Sequence, residues 1–190
     1  MWYGGDYGDG GDERREYAMV KKKERKRKEY YLSKSDIDEL IERIRLEWGM
    51  DIKKPKRLKV IEVDDHRLLL DDSSDDGLMV VMKSDDDNTL ILPFLAATNI
   101  LQLFPSVTVD MGAIEHICNG ADVMRPGIVS MDDFTQGDLV TVKDSRYAKY
   151  IAVGVALLSS DDARSVSRGA IVKNMHYVGD IVWEECKDTK

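Results

Sequence analysis

The residues best suited to contact a ligand lie in one short run in the second half of the chain. This run reads Asn119-Gly120-Ala121-Asp122-Val123-Met124-Arg125-Pro126-Gly127-Ile128. Gly120 can end a preceding helix in the left-handed conformation, while Pro126 fixes φ and Gly127 permits a positive φ beside it. Because the chain between them is short and small-sided, its backbone can approach a bound molecule closely. The run therefore indicates a binding loop.

Catalytic and metal chemistry have little support in the sequence. His116 precedes Cys118 by two residues, so the two side chains lie on different faces of a helix and are poorly placed as a nucleophile and its base. The Asp-rich runs at 71–76 and 85–87 lack the glycine and terminal glutamate of a calcium loop, so we interpret them as solvated turns. No P-loop or dinucleotide fingerprint occurs. We therefore expect no enzyme activity, no metal and no cofactor.

The elements around the binding run predict a small mixed barrel. A strand at 107–109 and a short helix at 111–118, with Ile114 and Ile117 facing inward, precede the loop and strand at 121–130. Strand-like segments follow at 139–143, 149–157, 170–173 and 180–184, with a helical turn at 161–168. Several short strands with two brief helices are typical of such a barrel.

The first half of the chain predicts a separate α+β unit. Ser35 is expected to cap a helix with one apolar face, and Gly49 is expected to end it. The apolar face consists of Ile37, Leu40, Ile41, Ile44 and Trp48. Strands are predicted at 57–63, 67–70, 78–83 and 89–92, separated by Asp-rich turns. A helix over 94–104 and a linker at Pro105 are expected to close the unit.

Charge and composition restrict the partners of the chain. Its 190 residues carry a net charge of −8, which argues against a simple polybasic nucleic-acid binder. Residues 21–28 are strongly basic, with seven basic residues and one acid. We expect residues 1–28 to be a flexible charged tail, although 13–31 could form a solvated helix. With no long apolar stretch, no secretory signal and two distant cysteines, we expect a cytoplasmic protein with unpaired thiols and no membrane contact.

The binding run and its surroundings resemble a PUA domain. The resemblance is carried by Val109-Asp110-Met111-Gly112-Ala113-Ile114 before the run and by Gly137-Asp138-Leu139-Val140, Ala152-Val153-Gly154-Val155, Gly169-Ala170-Ile171 and His176-Tyr177-Val178-Gly179-Asp180 after it. It covers roughly 107–186, and a weaker one covers roughly 30–106. The whole chain is similar to archaeal relatives of the malignant T-cell amplified sequence family. This implies an α+β fold, with a pre-PUA domain at 29–106 and a PUA β-pseudobarrel with short helices at 107–190.

The resemblance also implies which residues face RNA. In PUA domains the helix before the run, the run itself and the last strands form this surface. Carried over to this chain, the run supplies Gly120, Ala121, Asp122, Met124, Arg125, Pro126 and Gly127. Arg125 offers a planar fork of donors for a phosphate or a base edge, or else it pairs with an acid. Asp122 is expected to order the turn more than to touch RNA.

Two further groups of residues are candidates for RNA contact. Lys143, Arg146 and Lys149 flank a hairpin turn and could track a phosphate backbone, or simply be solvated. Lys173, Asn174 and His176 could hydrogen-bond an exposed nucleotide, and His176 or Tyr177 could stack on a base. For Tyr177 a partly buried place in the barrel is the alternative. The basic run 21–28 could anchor ribosomal or transfer RNA nonspecifically, or only solubilise the tail.

The family resemblance implies a non-catalytic RNA-binding role in translation initiation or ribosome recycling. Transfer RNA or the small ribosomal subunit is the expected RNA partner, and the pre-PUA domain is expected to bind a translation-factor protein. Two alternatives stay open. The chain could be an accessory RNA-binding subunit of an RNA-modifying enzyme, or a protein-interaction scaffold whose PUA-like barrel no longer binds RNA.

Overall fold

The described part of the chain forms two β-sheets with helices around them. A computed structural model describes residues 27–64, 66–73, 77–85 and 88–186. The first half contains β1 (Arg27–Tyr31), α1 (Lys34–Trp48), β2 (Lys59–Val63), β3 (His66–Leu70), β4 (Met79–Asp85), β5 (Asn88–Pro93) and α2 (Thr98–Leu101). Its strands pair antiparallel in the order β1-β2-β3-β4-β5. The predicted α+β class is confirmed.

Strands β2 to β5 of the first sheet are covered on both faces, which explains why they are largely apolar, whereas the edge strand β1 is exposed along its whole length. One face packs against the apolar side of α1 and contributes Val60, Leu69, Val80 and Ile91. The opposite face contributes Ile61, Leu68, Val81 and Leu92 to a cluster that also holds residues of the second sheet. The alternation along β2 to β5 therefore separates two buried layers rather than a buried layer from a solvated one.

Helix α1 begins two residues earlier than predicted. The Ser33 hydroxyl accepts a hydrogen bond from the Asp36 N–H at 3.2 Å, and the Asp36 carboxylate accepts one from the Ser33 N–H at 3.2 Å. This reciprocal capping box satisfies two exposed donors at once, which Ser35 cannot do from inside the first turn. The prediction for Ser35 is therefore wrong. The predicted apolar face and the left-handed end at Gly49 are confirmed.

The second sheet is nearly barrel-shaped. Its elements are β6 (Ser106–Val109), α3 (Met111–Ile117), β7 (Val123–Met124), a 3-10 turn (Arg125–Gly127), β8 (Ile128–Met131), β9 (Leu139–Asp144), β10 (Tyr150–Ala156), α4 (Ser160–Ser165) and β11 (Ala170–Tyr177). The strand order is β7-β11-β10-β9-β6-β8, with β6 parallel to β9 and the other pairs antiparallel. Register irregularities in β6, β10 and β11 bend the sheet around its core.

The last described element is a helix, α5 (Ile181–Cys186), where the sequence predicted a strand at 180–184. The Asp180 carboxylate accepts a hydrogen bond from the Trp183 N–H at 2.8 Å and thereby caps the helix. Val182 and Cys186 are buried in the cluster under the first sheet. Contact with that sheet therefore decides the local conformation, and the strand prediction is wrong.

Two other sequence predictions differ from the structure. Residues 27–31, predicted as part of a tail or a solvated helix, form β1 and pair along their whole length with β2. The helix predicted over 94–104 is limited to α2, because the chain turns at Phe94, whose carbonyl accepts from the Ala97 N–H at 2.8 Å. The rest of the predicted tail, residues 1–26, lies outside the described residues.

Candidate functional site

The binding run and helix α3 form the two walls of a groove. The groove has a volume of about 560 Å³ and a mostly apolar lining. It is lined by Asp110, Gly112, Ala113, His116, Ile117, Ala121, Asp122, Met124, Pro126 and Gly127. Five of these residues belong to the seven that the sequence assigned to the run, so the structure brings most of that group together with α3.

Asp110 holds the two walls at a fixed separation. Its carboxylate accepts a hydrogen bond from the Ala113 N–H at 2.9 Å and so caps α3. Its own N–H donates to the Gly127 carbonyl at 2.9 Å, on the opposite wall. One residue therefore starts the helix and ties it to the end of the loop.

The two glycines of the loop are needed for different reasons. Gly120 has a φ of +89°, as predicted, and a Cβ there would lie 2.9 Å from the Tyr177 hydroxyl. Gly127 does not adopt a positive φ, so that part of the prediction is wrong. A Cβ at Gly127 would instead lie 2.9 Å from the Ala113 Cβ, so glycine here permits the close approach of the two walls.

Asn174 on β11 fastens the loop to the barrel. Its side-chain amide donates to the Ile117 carbonyl at 2.9 Å and to the Ala121 carbonyl at 3.0 Å. Its backbone N–H donates to the Asp122 carboxylate at 2.9 Å, which agrees with the expected turn-ordering role of that aspartate. The side-chain donors of Asn174 are thus engaged by the protein and do not face a nucleotide.

The Arg125 guanidinium is tied to the fold. Its Nε donates to the Ala163 carbonyl at 2.8 Å in α4, and its Nη1 donates to the Ile128 carbonyl at 3.3 Å. Its backbone N–H donates to the Gly169 carbonyl at 2.8 Å. Arg125 therefore links the loop, β8 and α4, and it lies outside the residues that line the groove. The sequence left open an acidic partner for Arg125, and the structure gives its guanidinium backbone carbonyls as partners instead.

The groove presents exposed apolar groups. Met124 on its wall is 49% exposed, and Met111 at the start of α3 is 47% exposed. Methionine side chains are flexible and polarizable, and they pack well on flat aromatic groups. The contribution of α3 to the lining, including Gly112 and His116, was not assigned residue by residue from the sequence. The signal was present, because Gly112 and His116 are four residues apart and share one helical face.

Lys143, Arg146 and Lys149 lie together at the β9–β10 turn, outside the groove. The Lys143 ammonium lies 4.8 Å from the centre of the Tyr150 ring, and the Arg146 guanidinium lies 5.1 Å from that of Tyr147. The turn is held by one carboxylate, Asp144. Burial raises its pKa, but backbone N–H donors within the turn outweigh burial and leave the pKa of Asp144 below its usual value.

The predicted role of His176 in RNA contact is wrong, because the ring is fully buried. Its Nδ1 lies 2.6 Å from the Asp180 carboxylate, its Nε2 lies 3.4 Å from the Leu95 N, and the ring stacks on Phe94. Leu95 and Phe94 belong to the first half of the chain, so His176 joins the two halves. Lys173 is half-buried on β11 and lies outside the residues lining the groove.

Reactive groups do not converge in the described part of the chain. Burial raises the pKa of Cys186 to about 11 and also raises that of Cys118, so both thiols are poor nucleophiles near neutral pH. Among residues 27–64, 66–73, 77–85 and 88–186, no three His, Cys, Asp or Glu side chains are placed to share a metal ion. The helices of these ranges are all too short or too polar to span a membrane.

Comparison with known proteins identifies the second half of the chain and much of the first. The PUA domain family matches residues 105–178. An uncharacterized protein of Methanocaldococcus jannaschii is 35% identical over 161 residues, which cover 83% of this chain and 96% of that protein. Translation machinery-associated protein 20 of Eremothecium gossypii is 30% identical over 89 residues, 43% of this chain and 49% of that protein. Malignant T-cell-amplified sequence 2 of Homo sapiens is 29% identical over 99 residues, 48% of this chain and 55% of that protein.

Solved structures share this fold over more than four fifths of the chain. A hypothetical protein of Pyrococcus horikoshii has a TM-score of 0.66 and 32% identity, and the match covers 83% of this chain and 99% of that one. A PUA domain protein of Aeropyrum pernix has a TM-score of 0.67 and 25% identity, with coverages of 86% and 92%. The chain therefore belongs to the family of PUA-domain proteins that includes archaeal relatives of the malignant T-cell-amplified sequence proteins.

Proposed function

We propose that the protein binds RNA without catalysing a reaction, and that it acts on transfer RNA or the small ribosomal subunit during translation initiation or recycling. The groove between α3 and the run 119–127 is the proposed contact surface. Such a role places the protein in the cytoplasm, with no membrane contact. A translation-factor protein bound through the first half of the chain is part of this proposal.

The observation that carries the proposal is the construction of the groove. Glycine and alanine backbone forms its walls, and the exposed Met124 side chain offers an apolar surface beside them. Single-stranded RNA is recognised through unstacked bases that lie against flat or apolar side chains and hydrogen-bond to nearby polar groups. A volume of about 560 Å³ suits a ligand the size of a nucleotide.

The groove favours binding over catalysis because its carboxylates are already engaged. Asp110 caps α3, and Asp122 accepts from the Asn174 N–H. The relatives support a link to translation, since two of them carry the name translation machinery-associated protein or malignant T-cell-amplified sequence. This chain matches only about half the length of those two relatives.

The test compares two substitutions that place the same charge on exposed apolar positions. Met124→Asp puts a carboxylate inside the groove, whereas Val129→Asp puts one on β8, where the valine is 63% exposed. Binding to a transfer RNA transcript and to the same transcript without its 3′ acceptor nucleotides is measured for both variants and the wild type. Because one stacked base contributes about 1–3 kcal/mol, Met124→Asp is expected to weaken binding to the intact RNA about tenfold or more.

The controls decide between the groove and its alternatives. Val129→Asp is expected to bind both transcripts as the wild type does. Equal binding by Met124→Asp and Val129→Asp would reject the groove as the contact surface. If the wild type binds neither transcript, the protein-interaction scaffold becomes the better account.

A further inference from the structure

A lysine-lined groove lies at the start of α1, in the first half of the chain. The net charge of the protein is −8, yet residues 53–57 read Lys-Lys-Pro-Lys-Arg. Three lysines, Lys34, Lys54 and Lys56, line a groove of about 480 Å³ together with Ile37 and Pro55. The lysines are exposed, whereas Ile37 and Pro55 are buried and form its floor. None of these five lining residues is acidic.

The backbone holds the three lysines in this arrangement. The Leu32 N–H donates to the Leu58 carbonyl at 3.0 Å, so the chain entering α1 is fastened to the segment that carries Lys54 and Lys56. Leu58 is fully buried, which anchors one end of that segment in the core. The position of the lysine Cα atoms is therefore set by the fold, while their ammonium groups remain accessible.

The basic surface continues into a neighbouring groove. This second groove, of about 730 Å³, shares Lys54, Pro55 and Lys56 with the first and adds Lys53. Its two acids have partners: Asp51 pairs with Arg45 at 2.6 Å, and Asp71 accepts from the Ser73 N–H at 3.0 Å. The charge of Asp51 is therefore offset by Arg45, and the carboxylate of Asp71 is engaged by hydrogen bonds within its turn.

One ion pair competes for the surface. Lys54 pairs with Asp38, and their side chains are 52% and 60% exposed. An exposed pair of this kind contributes little and exchanges readily for another anion. Asp38 therefore acts as a weak internal competitor of an anionic ligand.

We propose that Lys34, Lys54 and Lys56 form a second RNA-contact surface that binds the phosphate backbone without regard to sequence. Ammonium groups are compact point charges, which suit phosphates, and the lining includes no aromatic ring or guanidinium to read a base. The choice of RNA as the polyanion rests on the proposed function, but the surface is separate from the α3 groove. Its contribution is expected to be salt-dependent and to be independent of the 3′ end.

The test measures binding of the full chain to the transfer RNA transcript lacking its 3′ acceptor nucleotides, between 50 and 200 mM KCl, which is about the range over which phosphate contacts weaken strongly. The variant is Lys34→Gln/Lys54→Gln/Lys56→Gln. The charge-matched control is Arg67→Gln/Arg164→Gln/Arg168→Gln, which removes three exposed cations from other places. Loss of up to three phosphate contacts is expected to reduce the slope of log affinity against log salt by about 2. The control is expected to keep the wild-type slope.

Variants that remove a negative charge instead of a positive one give a second, independent measurement of RNA binding. Asp38→Asn releases Lys54 and is expected to tighten RNA binding by about twofold to threefold, in line with the small energy of an exposed ion pair. Asp161→Asn removes the same negative charge from another exposed ion pair and is the control, because Asp161 pairs with Arg164 far from the lysines in sequence. Unchanged melting temperatures confirm that each variant is folded.

Several outcomes would overturn this inference. They are a triple variant with the wild-type slope, a control with the same reduced slope, or equal effects of Asp38→Asn and Asp161→Asn. The inference also fails if the triple variant loses binding to a polyglutamate peptide by the same factor as it loses binding to RNA, because the surface would then not be specific for phosphates. The proposed function fails separately, when Met124→Asp leaves the preference for the intact 3′ end unchanged.

Discussion

At the residue scale, the groove is maintained by a few contacts that fix the run 119–127 close to helix α3. Gly127 lets the loop approach Ala113, and Asp110 fixes that approach with two hydrogen bonds. Asn174 fastens the other end of the loop to β11. We infer that these residues position the groove, and that the exposed side chains and backbone along the groove contact the RNA.

Substitution of Asn174 tests this positioning role. Asn174→Ala leaves the partly buried Ile117 carbonyl without its amide donor, and an unsatisfied buried polar group costs about 1–3 kcal/mol. We expect a lower free energy of unfolding by this amount in chemical denaturation. Asn119→Ala is the matched control, because the Asn119 amide donates to the Glu115 carbonyl at an exposed site. A control that destabilises as much as Asn174→Ala would contradict the positioning role.

The sequence located the groove better than it assigned the roles of its residues. The spacing of Gly120, Pro126 and Gly127 marks a specialised loop, because few side chains are compatible with such backbone. The partners of Arg125 and His176 were not predictable in this way. Each side chain has one backbone partner distant in sequence, the Ala163 carbonyl or the Leu95 N–H, which only the tertiary fold brings near.

At the element scale, periodic patterns predicted the elements whose own residues decide their conformation. The apolar face of α1 and the apolar strands β2 to β5 belong to this class. Helix α5 and strand β1 belong to the other class. Strand β1 forms by pairing with β2, and α5 forms where Asp180 caps it and the first sheet buries it, so their local sequence is a poor guide.

The start of α1 gives a prediction at this scale. Ser33→Ala removes the capping box and is expected to lower the free energy of unfolding by about 1 kcal/mol. Ser35→Ala, two residues along, changes a hydroxyl within the first turn and is expected to have no cost, since alanine has the higher helix propensity. Thermal unfolding followed by circular dichroism measures both. A larger loss for Ser35→Ala would restore Ser35 as the cap.

At the scale of the whole molecule, the two sheets share one buried junction. Val153 and Met175 of the second sheet lie in the same cluster as Leu92 and Phe94 of the first half. The Lys83 ammonium donates to the Met175 carbonyl at 2.7 Å across this junction. Its polar centre is the buried pair of His176 and Asp180. The two halves that carry the lysine groove and the α3 groove therefore meet in this shared buried cluster.

The junction predicts a dependence of stability on pH. Burial raises the pKa of Asp180, but the His176 ring and the backbone N–H donors of Trp183 and Tyr177 outweigh burial, so its pKa is lowered in the folded state. A lowered folded pKa stabilises the fold above the unfolded value of about 3.9, and this stabilisation is lost as the pH falls through the folded pKa.

Asp180→Asn is expected to remove this contribution. At neutral pH it should lower the free energy of unfolding by about 1.5–3 kcal/mol, the usual contribution of a hydrogen bond to a charged group. Below about pH 4 the difference from the wild type should shrink. Denaturant unfolding at a series of pH values measures it, with Asp133→Asn as an exposed control of the same charge. A difference that stays constant down to pH 2 would show that Asp180 acts only by its shape.

The most direct test of the central claim is a nuclear magnetic resonance titration of the isotope-labelled protein. The ligand is a short single-stranded RNA that carries the 3′ acceptor nucleotides of a transfer RNA. We expect the largest amide shifts at Gly112, Ala121 and Gly127, with the same shifts lost in Met124→Asp and kept in Val129→Asp. Shifts confined to the β9–β10 turn, to the lysine groove or to the basic run 21–28 would contradict the assignment of RNA binding to the groove beside α3.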